Sequence, residues 1–257
     1  MIKKLFKPFE TINSSNKGII FSGWLLILIG FWIYSSLGSI HLFPTPKQVI
    51  TGLRDLWSEG LMVHMLSSIW LCIQAVFISV LISLVFAYSA PIPFFKPIGL
   101  FISKLRYLPL TGISFYVAIV INDARTIQVW VLVVFLTTYL TTSLIQVISD
   151  ISEDEFDHAR TLGLNRYEML WEVVIKGRFD YVLEMVRENF AIVWMFVVTV
   201  ESILVAAGGL GVLIKNNDKL GDNGKVIALQ FIIILIGVSF DIIITRLRKL
   251  IFRYSNF

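Results

Sequence analysis

The sequence predicts an all-α, polytopic membrane protein that crosses the bilayer six times, and three observations carry that reading. Its 257 residues are 56% hydrophobic and only 16% charged, where soluble domains average about a quarter charged. The apolar residues fall in long runs rather than alternating with polar ones, and the mean hydropathy is +0.79. Six of those runs approach the ~20 residues that a helix needs to cross the hydrocarbon.

Residues 18–38 form the first run. It follows the basic stretch MIKKLFKPFETINSSNKG, is too long for the core of a signal peptide, and has no small-residue cleavage site after it, so it reads as a retained anchor. Residues 40–63 hold a Pro-Thr-Pro turn and a short amphipathic helix. The second run, 65–90, carries the single cysteine, Cys72, which offers neither a disulfide framework nor a metal cluster. Ser67, Ser68 and Gln74 mark either a polar face of this span or ordinary helix-packing positions. The third run, 106–122, is the shortest and has Pro109 near its start. The fourth and fifth cover 126–149 and 189–210. A polar, turn-rich connection, 211–225, leads to the sixth, 226–247. No internal repeat, low-complexity tract or second soluble domain interrupts them, so residues 1–257 read as one membrane domain.

Orientation follows from the basic residues near the span ends. With the N-terminus inside, the cytoplasmic segments hold four Lys/Arg before the first span, three between the second and third, five between the fourth and fifth, and four after the sixth. That is sixteen of the 22. Both termini are therefore expected inside. The net charge of +4 needs no nucleic acid, because inner-face Lys and Arg account for it.

The segment 150–187 is the one substantial polar insert. Ser152 is a good N-cap, with Glu155 three residues on to complete a capping box. Glu153, Asp154 and Glu155 crowd a first turn where the helix dipole favours negative charge. Arg160 falls in the last turn, and Gly163 occupies the place of a left-handed C′ residue. Asn165 and Glu168 repeat the capping pattern. The insert reads as helix, glycine turn, helix, capped by its own side chains: a solvated loop, or a rigid docking element for a partner.

The same stretch resembles the cytoplasmic signature of ABC-importer permeases, written EAA, three residues, G, nine residues, I-x-L-P. Here it runs Asp157-His158-Ala159, three residues, Gly163, nine residues, Val173-Val174-Ile175-Lys176. LFPTPKQVITGL at 42–53 is similar to the Leu-Pro-Ser-Pro segment of the nitrate, sulfonate and taurine branch. VESILVAAGGLGVLI at 200–214 is similar to that branch's Ala-Glu segment ending in Gly-Leu-Gly. Lys176 and Asp180 stand where the family usually has prolines, as do Thr111 and Gly112 near the third span. The resemblance implies a type I importer permease in a bacterial cytoplasmic membrane, with Asp157, His158, Ala159, Arg160, Thr161, Leu162, Gly163, Leu164 and Asn165 as a coupling helix between spans four and five. It further implies two permease subunits, identical or different, two ATP-binding subunits, and an external binding protein that delivers a small solute such as nitrate, a sulfonate, taurine or bicarbonate.

No cofactor is expected on this chain. The phosphate-cradling pattern G-x-x-x-x-G-K-[ST] is absent, since GDNGKV at 221–226 has the wrong spacing and ends in Val. ATP and its Mg²⁺ would then sit on the partner subunit. The three histidines, His41, His64 and His158, are far apart, and no His-Glu-x-x-His or Gly-x-Ser-x-Gly pattern occurs, so an enzyme is not expected. A secondary transporter is the rival reading; its mark would be paired repeats with broken helices.

One charge falls inside an apolar run. Glu201 lies about twelve residues into the fifth span, roughly 18 Å deep at 1.5 Å per residue. Two readings stand: a pathway or gate residue, with Thr199, Ser202 and Gln74 as polar companions, or a carboxyl hydrogen-bonded to neighbouring helices that fixes their packing. Asp241, near the inner end of the last span, is expected to pair with Arg246 and Arg248.

Overall fold

A computed structural model describes residues 14–37 and 43–251, and every regular element among them is helical. The basic tails at 1–13 and 252–257, which carry part of the orientation argument, lie outside the described residues.

Helix α1, Ser14–Leu37, stands apart from the rest, with almost every described side chain exposed. Trp32 is its main tether, donating from Nε1 to the Pro44 carbonyl and leaning on Phe231. Helix α2, Pro46–Ser58, begins on a full capping box between Thr45 and Gln48, with proline in its first turn. The expected amphipathic helix is therefore present. After a left-handed Gly60, α3 runs over Leu61–Ser89.

Helix α4, Lys96–Lys104, is a short amphipathic piece that the apolar-run reading did not anticipate. Pro109 then delays α5 until Leu110; it ends at Val120, so the expected third span is an 11-residue helix. The fourth span is α6, Ala124–Ser149, capped by Asp123. Helices α7, Glu153–Thr161, and α8, Arg166–Met169, form the polar insert, and α8 continues as a π-type turn over Leu170–Lys176. Helix α9, Phe179–Ile203, contains the start of the expected fifth span but stops short of its end. The chain then passes through a 3₁₀ turn, Val205–Ala207, and two left-handed glycines into α10, Leu210–Lys219. The polar stretch after 210 is thus a helix and not a loop, because Leu210, Gly211, Val212 and Asn217 bury one face of it. Helix α11, Asn223–Ile251, closes the fold.

Four of these helices are long and apolar enough to cross a membrane: α1, α3, α6 and α11. Helix α5 is too short on its own. Helix α9 has the length but carries Asp180, Glu184, Arg187, Glu188 and Glu201.

The principal seam lies between α3 and α6. Ala75, Ser79, Ser83 and Ala87 recur every four residues on α3 and are all fully buried. Their small size lets the two backbones approach closely. The Ser79 hydroxyl donates to the Ala75 carbonyl at 2.6 Å and reaches the Val133 carbonyl at 3.4 Å; Ser83 reaches Thr137 O at 3.3 Å. Around this seam Leu71, Val131, Leu132, Leu136, Val197, Leu210 and Leu229 form the core.

Candidate functional sites

The polar insert folds as its capping pattern dictates, with one correction. Gly163 adopts φ +78°. Its N–H bonds to the Arg160 carbonyl at 3.0 Å and the Leu164 N–H to the Ala159 carbonyl at 3.2 Å, the paired bonds of a Schellman ending. Asn165 caps α8 through Oδ1, and Glu168 returns the bond to the Asn165 N–H at 2.7 Å. The capping box expected of Ser152 and Glu155 does not form. The Glu155 carboxylate is drawn to Arg178 at 2.5 Å, a charge-assisted bond that outcompetes a neutral N–H and ties α7 to the foot of α9.

Around this hairpin the side chains divide by direction. Ala159, 3% exposed, packs inward beside Leu164 and Val173. Arg160 is held by Asp157 and by Glu153, and the Thr161 hydroxyl bonds back to the His158 carbonyl at 2.7 Å. Leu162, 67% exposed, points outward together with Tyr167 and Trp171. These are three large exposed side chains on an otherwise polar insert. The Lys176 ammonium binds Glu172 at 2.7 Å and lies over the Trp171 ring, while the backbone continues to Gly177 through a bond to the Glu172 carbonyl. Asp180 sits in the first turn of α9, where the dipole favours a carboxylate.

The second site is the break between α9 and α10. Glu201 is 0% exposed and lies in the last turn of α9, so the charge is at a chain break and not in mid-helix. Its Oε2 accepts from the Ser68 hydroxyl at 2.8 Å and from the Gly211 N–H at 3.0 Å. Ser68 in turn accepts from the Leu210 N–H at 2.8 Å, and His64 Nδ1 accepts from the Gly209 N–H at 3.1 Å. These are the otherwise unpaired donors at the start of α10. The Leu204 carbonyl is met by Gln128 Nε2 at 2.8 Å, and Arg125 braces Gln128 and the Ser67 carbonyl. Irregular backbone away from water is tolerated when protein groups satisfy it, and here α3 and α6 supply them. Gly209 and Gly211 leave the room: an added Cβ would stand 2.1 Å from the Glu201 carboxyl and 2.1 Å from the Val198 carbonyl, respectively.

Of the polar companions expected near Glu201, Ser202 bonds back to the Thr199 carbonyl at 2.7 Å, and Gln74 is half-buried on α3. Thr199 lines an open groove of about 840 Å³ between α9 and α11, together with Trp194, Val198, Gln230 and Ile233. At one end of that groove Arg187 joins Glu184 and, at 3.8 Å, Asp241. Asp241 therefore reaches across to α9; among the described side chains no ion pair joins it to Arg246, and the Arg248 side chain lies outside those described. The parts of the break that sequence reasoning missed are His64, Arg125 and Gln128. The available signal was the run of glycines at 208, 209 and 211 close behind a membrane-depth Glu.

No family model matches the chain, and no curated protein matches it in sequence. In structure it is similar to a chain from the crystal structure of an amino acid ABC transporter with histidines. The TM-score is 0.61 at 18% identity, over 79% of this chain and 97% of that one. The two share a fold.

Proposed function

We propose that this chain is the membrane-spanning permease subunit of an ATP-driven ABC importer. Two such subunits, alike or different, enclose the solute pathway, and each docks through residues 157–165 on a separate ATP-hydrolysing subunit. The observation that carries the reading is the fold shared along nearly the whole length of a chain from an amino acid ABC transporter. The cytoplasmic hairpin supports it, because a self-capped element with outward Leu162, Tyr167 and Trp171 is stiff enough to transmit a push. In this reading α5 and α9 complete six crossings, with both termini in the cytoplasm of a bacterial cell, and their short or charged surfaces face protein and water. The groove that holds Thr199, Gln230 and Arg187 faces the pathway, and Glu201 fixes packing. ATP-driven closure below would move the hairpin and swing α9 and α11 as rigid bodies. An external binding protein would deliver the solute, a small molecule or ion of the nitrate, sulfonate, taurine or bicarbonate kind.

The test is reconstitution of this chain with an ATPase subunit and a binding protein that co-purify with it. Vesicles should accumulate a labelled solute from a panel of nitrate, taurine, bicarbonate and histidine only when ATP is supplied on the cytoplasmic face. Uptake by the permease alone, driven by an ion gradient, would establish a secondary transporter instead.

A further inference from the structure

We infer that α2 is an interfacial helix that lies flat in the outer leaflet, its Ile50, Leu53 and Trp57 face sunk among acyl chains and its basic edge on lipid phosphates. This rests on the proposed topology, which puts residues 40–63 outside. At ~100° per residue, α2 carries an apolar arc wider than its own protein covers. Val49, Gly52 and Leu56 occupy one half and are buried. Ile50, Leu53 and Trp57 occupy the other half and are 69%, 41% and 62% exposed. Lys47, Gln48, Thr51, Arg54, Asp55 and Ser58 fill the opposite arc. The middle of the whole apolar arc is thus opposite the middle of the polar arc, the arrangement of a helix in the plane of a membrane surface.

Rotation about the helix axis is fixed by close packing. A Cβ on Gly52 would stand 2.9 Å from the Lys225 backbone nitrogen, so α2 touches the start of α11 backbone to backbone. The charges then sort by side. Glu59 binds Lys225 at 2.6 Å and Asp55 lies near enough to act on the same ammonium, so the acids face the protein. Lys47 and Arg54 lie on the other edge of the polar arc, beside Ile50. From there their stems run along the apolar surface while the charges reach the phosphate layer. Continuity identifies the occupant as lipid. Two residues after α2, the chain enters α3, whose exposed Met62, Val63, Leu66 and Trp70 carry the same apolar surface onward into a helix long enough to span the bilayer. A soluble binding protein docked on Ile50 and Trp57 would have to displace that boundary.

Single cysteines at Ile50, Trp57, Thr51 and Asp55, in a Cys72→Ala background, are labelled with an environment-sensitive fluorophore in proteoliposomes containing phosphatidylglycerol. The fluorophores at 50 and 57 should be blue-shifted and quenched several-fold more by nitroxide-labelled phospholipid than by iodide, with the order reversed at 51 and 55. Lys47→Gln with Arg54→Gln should reduce lipid quenching at 50. Equal iodide quenching at all four positions would overturn the inference, as would lipid protection that appears only when a binding protein is added. Quenching by lipid does not depend on which leaflet is involved. Labelling of the Thr51 cysteine by impermeant maleimide in intact cells reads the side, so an error of topology is distinguishable from failure to insert.

Discussion

Ser68 and Glu201, 133 positions apart in the chain, share a buried hydrogen bond of 2.8 Å, and the Ser68 oxygen simultaneously accepts the Leu210 N–H. One hydroxyl therefore links α3, the end of α9 and the beginning of α10. The carboxylate is the N-terminal anchor of α10 supplied from outside the helix, in the position where a capping side chain would otherwise come from the Gly209 site.

Removing that anchor leaves a buried hydroxyl and a buried N–H without an acceptor. Glu201→Ala should destabilise the protein by about 1–3 kcal/mol, read as a lowered unfolding temperature in detergent. Glu201→Gln keeps one acceptor oxygen and should lose less. An alanine variant as stable as the parent would remove the anchor from the account.

Two glycines should lose stability for different reasons and by different amounts when each becomes alanine. At Gly211 an added methyl meets the Val198 carbonyl at 2.1 Å, so Gly211→Ala should cost at least about 1–3 kcal/mol through overpacking. At Gly163 nothing lies within 4 Å, so Gly163→Ala should cost only the left-handed strain, roughly 1 kcal/mol. Paired thermal melts measure the difference.

Coupling to the ATPase should depend on the outward side chains of the hairpin. Leu162→Glu should leave the permease folded and at normal membrane levels, while solute-stimulated ATP hydrolysis and co-purification of the ATPase fall by tenfold or more, on the order of 1.4 kcal/mol of docking energy. Gly163→Leu should do the same. Ala159 is a poor probe of docking, since it is buried within the hairpin and its loss is an internal one. Normal uptake in both variants would reduce the insert to a loop.

Arg178 is the stronger of the hairpin's ion-pair partners. Its side chain is 17% exposed against 55% for Arg160. A double-mutant cycle between Glu155→Gln and Arg178→Gln should give a coupling of about 1 kcal/mol, whereas the Glu153 and Arg160 cycle should give none that can be measured. Equal couplings would mean that the tie between α7 and α9 has no special strength.

Sidedness is checked within the described residues. A cysteine at Leu220, in the exposed turn after α10, should react with impermeant maleimide in intact cells, and one at Glu153 should react only after permeabilisation. The reverse pattern inverts the topology.

Long-range runs and short-range caps were legible in the sequence; competition between partners was not. Helices α3, α6 and α11 follow from apolar length alone, and the turn at Gly163 from the residues beside it. Ser152 and Glu155 read as a capping box because only local spacing is visible, while Arg178, 23 positions beyond Glu155, takes the carboxylate. The α9–α10 break was hidden for the same reason. Residues 203–210 are apolar enough to continue a span, and the groups that make a break affordable there, His64, Ser68 and Gln128, come from two other helices. Helix α10 looked like a loop because Lys215, Asn216, Asp218 and Lys219 face away from the small buried face that holds it, and that face itself includes the polar Asn217.

The four-residue spacing of Ala75, Ser79, Ser83 and Ala87 also sets where variation can accumulate. Each position admits nothing much larger than serine, because the α6 backbone is already within reach of the hydroxyls. The exposed positions between them, such as Phe77, Leu81 and Val85, need only remain apolar. A saturation library across α3 should therefore show a narrow band of intolerance recurring every fourth residue, flanked by positions that exchange freely among large hydrophobic side chains.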